Sequence, residues 1–171
     1  MPHLTLILGG AASGKSRFAE ELAAETGRRQ IYIATAQAFD KEMEAKIKRH
    51  KIARGTEWET IEAPLDATPA INSAKPDDVI LLDCATLWLS NVMLAKRAWE
   101  PEADRLLASL ATCKAPVVVV SNETGMGIVP DHPLGRAFRN AQGALNQRLA
   151  SQSDRAALIV AGLPLSLKGG F

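Results

Sequence analysis

Cysteine is scarce in this chain, with Cys84 and Cys113 as two separated thiols among 171 residues. Two such residues do not form the disulfide framework of a small secreted protein, and no cysteine–histidine group has the spacing of a structural zinc site. Long hydrophobic runs are also missing, because the apolar stretches are far shorter than the roughly 20 residues of a membrane-spanning helix. Residues 1–4 carry no basic region ahead of a long apolar stretch, so we expect no signal peptide and a cytoplasmic protein.

An excess of either charge is absent as well. The 20 lysines and arginines face 19 aspartates and glutamates, which leaves a net charge of +1. Nucleic acids and anionic membrane surfaces favour partners with a strong basic field, so we expect neither as a general partner. A chain of 171 residues has about the length of one domain and can bury a core of its own. We therefore expect a single domain over residues 1–171.

Short apolar runs alternate with amphipathic stretches along the chain. This alternation is typical of βα units and predicts a three-layer α/β sandwich, in which helices flank a mostly parallel sheet. Strands are predicted over 4–8, 30–35, 58–62, 79–84, 117–122 and 156–161. Helices are predicted over 15–25, 40–54, 86–98, 102–113 and 134–151.

The segment between the first predicted strand and helix fits the pattern G-x-x-x-x-G-K-[ST] of a phosphate-binding loop. Glycines let successive N–H groups curl toward phosphate oxygens, and the helix N-terminus adds partial positive charge. Lys15 then reaches the β- and γ-phosphates of a purine nucleoside triphosphate, and the Ser16 hydroxyl is placed for Mg²⁺. The alternative is a glycine-rich turn without a ligand. The eight residues are Gly9, Gly10, Ala11, Ala12, Ser13, Gly14, Lys15 and Ser16. This loop predicts a P-loop nucleotide hydrolase fold of the RecA-like type.

One acidic residue, Asp83, ends a predicted strand that is apolar throughout. In P-loop folds an acidic residue in this position completes the magnesium site. The alternative is a cap for the helix predicted from Thr86.

A histidine lies within a basic run, Lys48-Arg49-His50-Lys51, on the helix predicted over 40–54. His50 and Arg54 are four residues apart and share a helix face. Cationic neighbours favour the neutral imidazole, which is a nucleophile that can attack an α-phosphorus. Lys51 and Arg54 could hold the phosphate oxygens. The alternative is a solvated histidine on a charged surface.

Three further groups of residues leave their roles open. The segment 121–127, SNETGMG, follows a predicted buried strand, where it could position a substrate or form a turn. Arg136 and Arg139 could face a phosphate or solvent. Residues 146–148 lie inside a long helix, where a subunit contact and a catalytic role are both open.

Several collinear segments together resemble one known family. They are LILGGAASGKSRFAEELA from Leu6, YIATAQAFDKEMEAKIKRHKIARG from Tyr32, VILLDCATLWLSN from Val79, and VVVVSNETGMGIVPDHPLGRAFRNAQGALNQRLA from Val117. AGLPLSLKG follows from Ala161. The chain is similar to the bifunctional adenosylcobinamide kinase/adenosylcobinamide-phosphate guanylyltransferases of cobalamin biosynthesis. The phosphate loop is widespread, whereas SNETGMGIVP together with R-H-K-x-x-R is far more specific.

The resemblance implies two reactions and a set of residues. ATP or GTP phosphorylates the aminopropanol hydroxyl of adenosylcobinamide, and GMP then passes from GTP, through a histidine, to adenosylcobinamide phosphate. The guanylylated histidine falls on His50. The implied nucleotide contacts are the phosphate loop with Ala34, Thr35, Ala36, Lys51, Ile52, Ala53, Arg54, Glu62 and Asp83. The family further implies a homotrimer. Two other functions stay open from the residues alone: a kinase of another small metabolite, and a nucleotide-sensing switch protein.

Overall fold

The computed structural model describes residues 3–37, 52 and 55–171. Seven strands of these residues form one sheet in the order β3-β2-β4-β5-β1-β6-β7. Strands β1 to β6 run parallel, and β7 pairs antiparallel with β6. The strands are β1 (Leu4–Gly9), β2 (Arg29–Ala34), β3 (Trp58–Glu62), β4 (Asp78–Asp83), β5 (Val117–Asn122), β6 (Arg155–Val160) and β7 (Leu163–Lys168).

Five helices are described, and they cover both faces of the sheet. They are α1 (Lys15–Ala24), α2 (Thr68–Asn72), α3 (Ala85–Leu94), α4 (Trp99–Thr112) and α5 (Pro133–Gln152). Helix α1 packs on one face, and α2 to α5 contribute to the core on the other. The predicted three-layer α/β sandwich is confirmed.

Side-chain alternation along the central strands supplies both cores. On β5, Val117 and Val119 pack in the larger core, while Val118 and Val120 pack against α1. A strand buried on both faces reads as an unbroken apolar run, which is why β4 and β5 could be predicted. Each buried valine or leucine stabilises the fold by roughly 1.5–3 kcal/mol.

The predicted elements agree with the structure in most places, with four differences. The helix predicted over 86–98 ends at Leu94, because Lys96 adopts a left-handed conformation with φ of 57°. The helix predicted from 102 begins at Trp99. Strand β7 and the short helix α2 were not predicted. The helix predicted over 40–54 lies outside the described residues, apart from Ile52.

Strand β7 ends the sheet and leaves its side chains exposed along its whole length. Leu163, Leu165 and Leu167 are each more than half exposed. Among the helices of the described residues, none combines the length and the hydrophobicity that crossing a membrane requires.

Candidate active site

The phosphate-loop sequence occupies the turn from β1 into α1, as the motif requires. Gly9 is the last residue of β1, and Lys15 is the first residue of α1. Gly14 caps the helix with φ of 92°, and its carbonyl accepts a hydrogen bond from the Phe18 N–H at 3.0 Å. The N–H groups of the first helical turn have no partner within the helix backbone and carry partial positive charge. The turn can therefore bind an anion.

Gly9 is required by space. A Cβ at this position would lie 2.4 Å from the Ser13 Oγ and 3.0 Å from the Ile159 carbonyl oxygen. The Ser13 hydroxyl is buried over Gly9 and finds no hydrogen-bond partner among the described residues. At Gly10, by contrast, a Cβ would meet no atom within 4 Å. The first glycine of the motif therefore fixes how the loop folds back on its strand.

Lys15 and Asp83 lie at the same end of the sheet. The Lys15 ammonium donates to the Gly10 carbonyl at 3.1 Å, so this side chain folds back along the loop. Asp83 ends β4, where its Oδ2 accepts a hydrogen bond from the Tyr32 hydroxyl at 3.0 Å. The helix that follows is capped by Cys84, whose sulfur accepts from the Leu87 N–H at 3.5 Å. The alternative role of Asp83 as the cap of this helix is therefore wrong.

Cys84 is a buried thiol within the site. Burial raises the pKa of the Cys84 thiol to about 11, and the adjacent Asp83 charge adds to this rise. The N–H groups of Leu87 and Thr86 and the Lys15 ammonium oppose it. The thiol is protonated at neutral pH, so Cys84 acts as a small buried side chain and not as a nucleophile.

Three of the residues implied by the family resemblance align across neighbouring strands. Ala34 pairs in register with Glu62 of β3 on one side and with Asp83 of β4 on the other. Glu62 is exposed, and Asp83 is partly buried. This end of the sheet thus presents one carboxylate on each side of the end of β2.

Thr35 ties the ends of β2 and β4 together. Its hydroxyl donates to the Cys84 carbonyl and accepts from the Cys84 N–H, both at 2.8 Å. Asn91 donates to the Thr35 carbonyl at 2.8 Å and to the Pro64 carbonyl at 2.9 Å. The predicted contact residue Thr35 is fully buried, so its side chain acts within the fold, and Ala36 beside it is only partly buried.

A buried polar network supports the loop that follows β5. Ser121 donates to Asn146 at 2.7 Å, and Gln142 donates to both at 2.9 Å. Asn122 is held through its backbone, since its N–H donates to the Thr86 hydroxyl and its carbonyl accepts from Asn146. The backbone N–H of Glu123 donates to the Gly9 carbonyl at 3.1 Å, and this hydrogen bond links the loop after β5 to the phosphate loop.

The two arginines near the start of α5 bind backbone carbonyls of the same loop. Arg139 donates to the carbonyls of Gly125 and Gly127, and Arg136 donates to those of Pro130 and Asp131. These contacts order residues 125–131. Asn146, for which a subunit contact and catalysis were both open, belongs to the buried network. Arg148 forms an exposed ion pair with Asp104.

Sequence reasoning missed one neighbour of the phosphate loop. The turn between β6 and β7 reaches it, where the Gly162 N–H donates to the Ser13 carbonyl at 2.8 Å. The glycine between two short apolar runs was the available signal.

Of the basic run predicted to carry the nucleophile, residues 48–54, the structure describes one residue. His50, Lys51, Ala53 and Arg54 lie outside the described residues. Ile52 is described and is 70% exposed. Over residues 3–37, 52 and 55–171, no group of three or more metal-ligating side chains forms a cluster.

Comparison with known structures identifies the fold. The crystal structure of the RadB recombinase superposes with a TM-score of 0.55 at 14% identity, over 91% of this chain and 73% of the recombinase. An ATPase of a type III secretion system gives a TM-score of 0.57 at 12% identity, over 96% of this chain and 56% of the ATPase. These likenesses confirm the RecA-like P-loop fold.

Comparison of sequences identifies the family. A Pseudomonas aeruginosa protein named bifunctional adenosylcobalamin biosynthesis protein CobP is 45% identical over 167 residues, which cover 96% of each chain. A Salmonella typhimurium protein named bifunctional adenosylcobalamin biosynthesis protein CobU is 41% identical, over 96% of this chain and 99% of that protein. The model of a family described as cobinamide kinase / cobinamide phosphate guanyltransferase matches residues 5–167. The chain belongs to the cobinamide kinase / cobinamide phosphate guanyltransferase family.

Proposed function

We propose that this chain, as one domain, phosphorylates adenosylcobinamide and then transfers GMP from GTP to adenosylcobinamide phosphate, giving adenosylcobinamide-GDP. The observation that carries the proposal is the phosphate loop between β1 and α1 in a chain that the family model matches over residues 5–167. Both reactions need a bound nucleoside triphosphate, and one loop can serve both. ATP or GTP supplies the phosphoryl group in the first reaction, and GTP supplies GMP in the second.

In the kinase reaction, the residues of the phosphate loop bind and orient the triphosphate. The backbone N–H groups at the start of α1 and the Lys15 ammonium stabilise the charge that develops on the phosphate oxygens. Phosphoryl transfer needs little covalent chemistry from the protein, so positioning and charge stabilisation supply most of the rate. The acceptor hydroxyl oxygen of the corrinoid attacks the γ-phosphorus, its proton is released to water, and the nucleoside diphosphate leaves.

The residues present fit a magnesium ion that enters with the nucleotide. Mg²⁺ prefers hard oxygen ligands and is usually held by one or two protein groups together with substrate phosphates. The Ser16 hydroxyl and the Asp83 carboxylate are oxygen ligands of this kind, and they would hold the ion. When bound, the ion would neutralise phosphate charge.

In the guanylyl transfer, His50 is the proposed nucleophile. A ring nitrogen attacks the α-phosphorus of GTP, and pyrophosphate leaves as the P–N bond forms. A phosphate oxygen of adenosylcobinamide phosphate then attacks the same phosphorus, and the imidazole leaves. Lys51 and Arg54 would hold the α-phosphate oxygens in both steps. The R-H-K-x-x-R pattern of residues 49–54 and the family membership support this assignment.

The experiment is covalent labelling with GTP that carries a radioactive α-phosphate. We expect the purified protein to acquire label that is labile in acid and stable in alkali, as a phosphoramidate is. Adding adenosylcobinamide phosphate should discharge the label into adenosylcobinamide-GDP. His50→Asn should acquire no label, whereas His132→Asn is the matched control, since asparagine can still cap α5 in the place of His132.

Two outcomes would contradict the proposal. Full labelling of the His50→Asn variant would exclude this histidine as the nucleophile. A label on the wild-type protein that no phosphorylated cobinamide discharges would exclude the transfer reaction. From the family resemblance we also expect a homotrimer. Light scattering on the purified protein measures its molar mass and so tests this expectation directly.

A further inference from the structure

The turn between β6 and β7 is a tight hairpin whose tip lies against the phosphate loop. Val160 and Leu163 pair across it, so the turn consists of two residues, Ala161 and Gly162. Their φ values are 52° and 79°, as in the turns that match the twist of a two-stranded hairpin. Strand β6 lies beside β1, and Gly9 pairs in register with Ile159. The turn after β6 therefore meets the turn after β1.

The contact between the two turns joins backbone to backbone. The Gly162 N–H donates to the Ser13 carbonyl at 2.8 Å. A Cβ on Gly14 would lie 3.2 Å from the Gly162 Cα, closer than most real contacts of this kind. The hydrogen bond inside the loop, from the Ser13 N–H to the Gly10 carbonyl, is longer at 3.4 Å. The hairpin thus restrains this part of the loop more tightly than that internal bond does.

We propose that Gly162 is a positioning residue for the phosphate loop, because its N–H fixes the plane of the peptide that joins Ser13 to Gly14. In a trans peptide the C=O and N–H bonds point in opposite directions. Holding the Ser13 oxygen against the hairpin therefore turns the Gly14 N–H to the opposite side of the peptide, away from the hairpin. The inference rests on the proposed function, since that N–H acts on nucleotide phosphates.

The orientation of this peptide decides the sign of its interaction with an anion. With the hairpin in place, the Gly14 N–H adds to the donors that bind phosphate oxygens. If the peptide turned over, the Ser13 carbonyl oxygen would face the anion instead. Hydrogen bonds to charged groups contribute more than neutral ones, so losing this donor weakens phosphate binding by about tenfold or more.

Two substitutions at Gly162 separate this role from general hairpin stability. A β-branched residue strongly disfavours a φ of 79°, so Gly162→Val should displace the tip and release the Ser13 carbonyl. Asparagine tolerates this conformation, so Gly162→Asn should keep the N–H in place. The nearest atom to a Cβ here is the Arg17 Nη2 at 3.6 Å, an ordinary contact that leaves room for the side chain.

The test combines GTP affinity with the amide proton resonance of Gly14. In the wild-type protein and in Gly162→Asn, we expect GTP·Mg²⁺ to shift the Gly14 amide proton downfield, as a hydrogen bond to phosphate does. In Gly162→Val, this shift should disappear, and the Kd for GTP should rise by about tenfold or more. Replacing the Gly162 amide with an ester, in protein ligated from a synthetic C-terminal segment, removes the donor without changing the side chain. It should act as Gly162→Val does.

The outcomes distinguish this inference from the proposed function. If the ester protein binds GTP as tightly as wild type and keeps the Gly14 shift, Gly162 does not position the loop. If Gly162→Val fails to fold, the ester protein decides the question. The wild-type protein could bind GTP with the expected shift and yet transfer neither a phosphoryl nor a guanylyl group to a corrinoid. This outcome would contradict the proposed function and would support the positioning role of Gly162. A wild-type protein that does not bind GTP overturns both.

Discussion

Replacing Gly9 with alanine should destabilise the protein through the close contacts of the new Cβ. The new Cβ would lie 2.4 Å from the Ser13 Oγ and 3.0 Å from the Ile159 carbonyl oxygen. Overpacking of this kind costs about 1–3 kcal/mol, and we expect about 2–3 kcal/mol here because the new Cβ meets both atoms at once. In the double variant Gly9→Ala/Ser13→Ala the contact with the Ser13 Oγ is gone, so the loss of unfolding free energy should fall to about 1 kcal/mol. The two substitutions should therefore couple by about 1–2 kcal/mol.

Urea unfolding in the absence of nucleotide, monitored by tryptophan fluorescence, measures these differences in the free energy of unfolding. The matched control is Gly10→Ala, whose Cβ would meet no atom within 4 Å. We expect this control to lie within about 0.5 kcal/mol of the wild type. Equal losses for Gly9→Ala and Gly10→Ala would refute the reasoning. So would a double variant no more stable than Gly9→Ala alone.

Three further predictions concern the buried polar network, the carboxylate of Asp154 and the thiols. Asn146→Ala should cost about 2–4 kcal/mol in chemical unfolding because it removes three hydrogen bonds of the buried network, whereas Arg148→Ala, in an exposed ion pair, should cost less than about 1 kcal/mol; equal losses would contradict the network. The hydrogen bond from the Leu4 N–H lowers the pKa of the Asp154 carboxyl group. The ionised carboxylate therefore stabilises the fold at pH values above its usual pKa of about 3.9. This stabilisation is lost as the pH falls through the lower pKa of the folded state. Urea unfolding should show Asp154→Asn less stable than wild type at pH 7, by a difference that narrows as the pH falls below about 4. A difference that does not narrow at acid pH would contradict this. Burial raises the pKa of Cys84 and of Cys113, so neither thiol should react with a disulfide reagent at pH 8 until the protein is unfolded, and a native thiol that reacts at once would exclude this burial.

Features set by neighbouring residues could be predicted from the sequence. The phosphate loop follows from eight consecutive residues, and the turn from β1 to α1 lies where the motif places it. The buried strands β4 and β5 are unbroken apolar runs, so their positions follow from composition alone. Asp83 could be assigned to a strand end for the same reason.

Features set by distant pairing could not be predicted in this way. Strand β7 reads LPLSLK. Its alternating leucines suit a strand, but the proline within the run argues against one. The tip of the hairpin contacts Ser13, and that contact joins residues 149 positions apart in the sequence, which only the order of strands β1, β6 and β7 brings together.

The buried network shows the same limit for polar residues. Gln142 and Asn146 are helical residues whose type suggests a solvated face. Their partners are Ser121 and Asn122 at the end of β5, and only the packing of α5 on the sheet makes them neighbours. At Asn146, where a subunit contact and a catalytic role were both open, the fold shows a buried network that no local pattern indicates.

The exposed leucines of β7 have a consequence for how the protein behaves at high concentration. An apolar sheet margin with free backbone groups invites another strand to add to it. Pro164 lacks an N–H, which removes one rung from any such ladder. Lys168 is held at the same margin, where its ammonium binds the carbonyls of Ala150 and Ser151, so a charge stays beside the leucines. At high concentration the protein can therefore associate through the leucines of β7 without forming an open-ended polymer of paired strands.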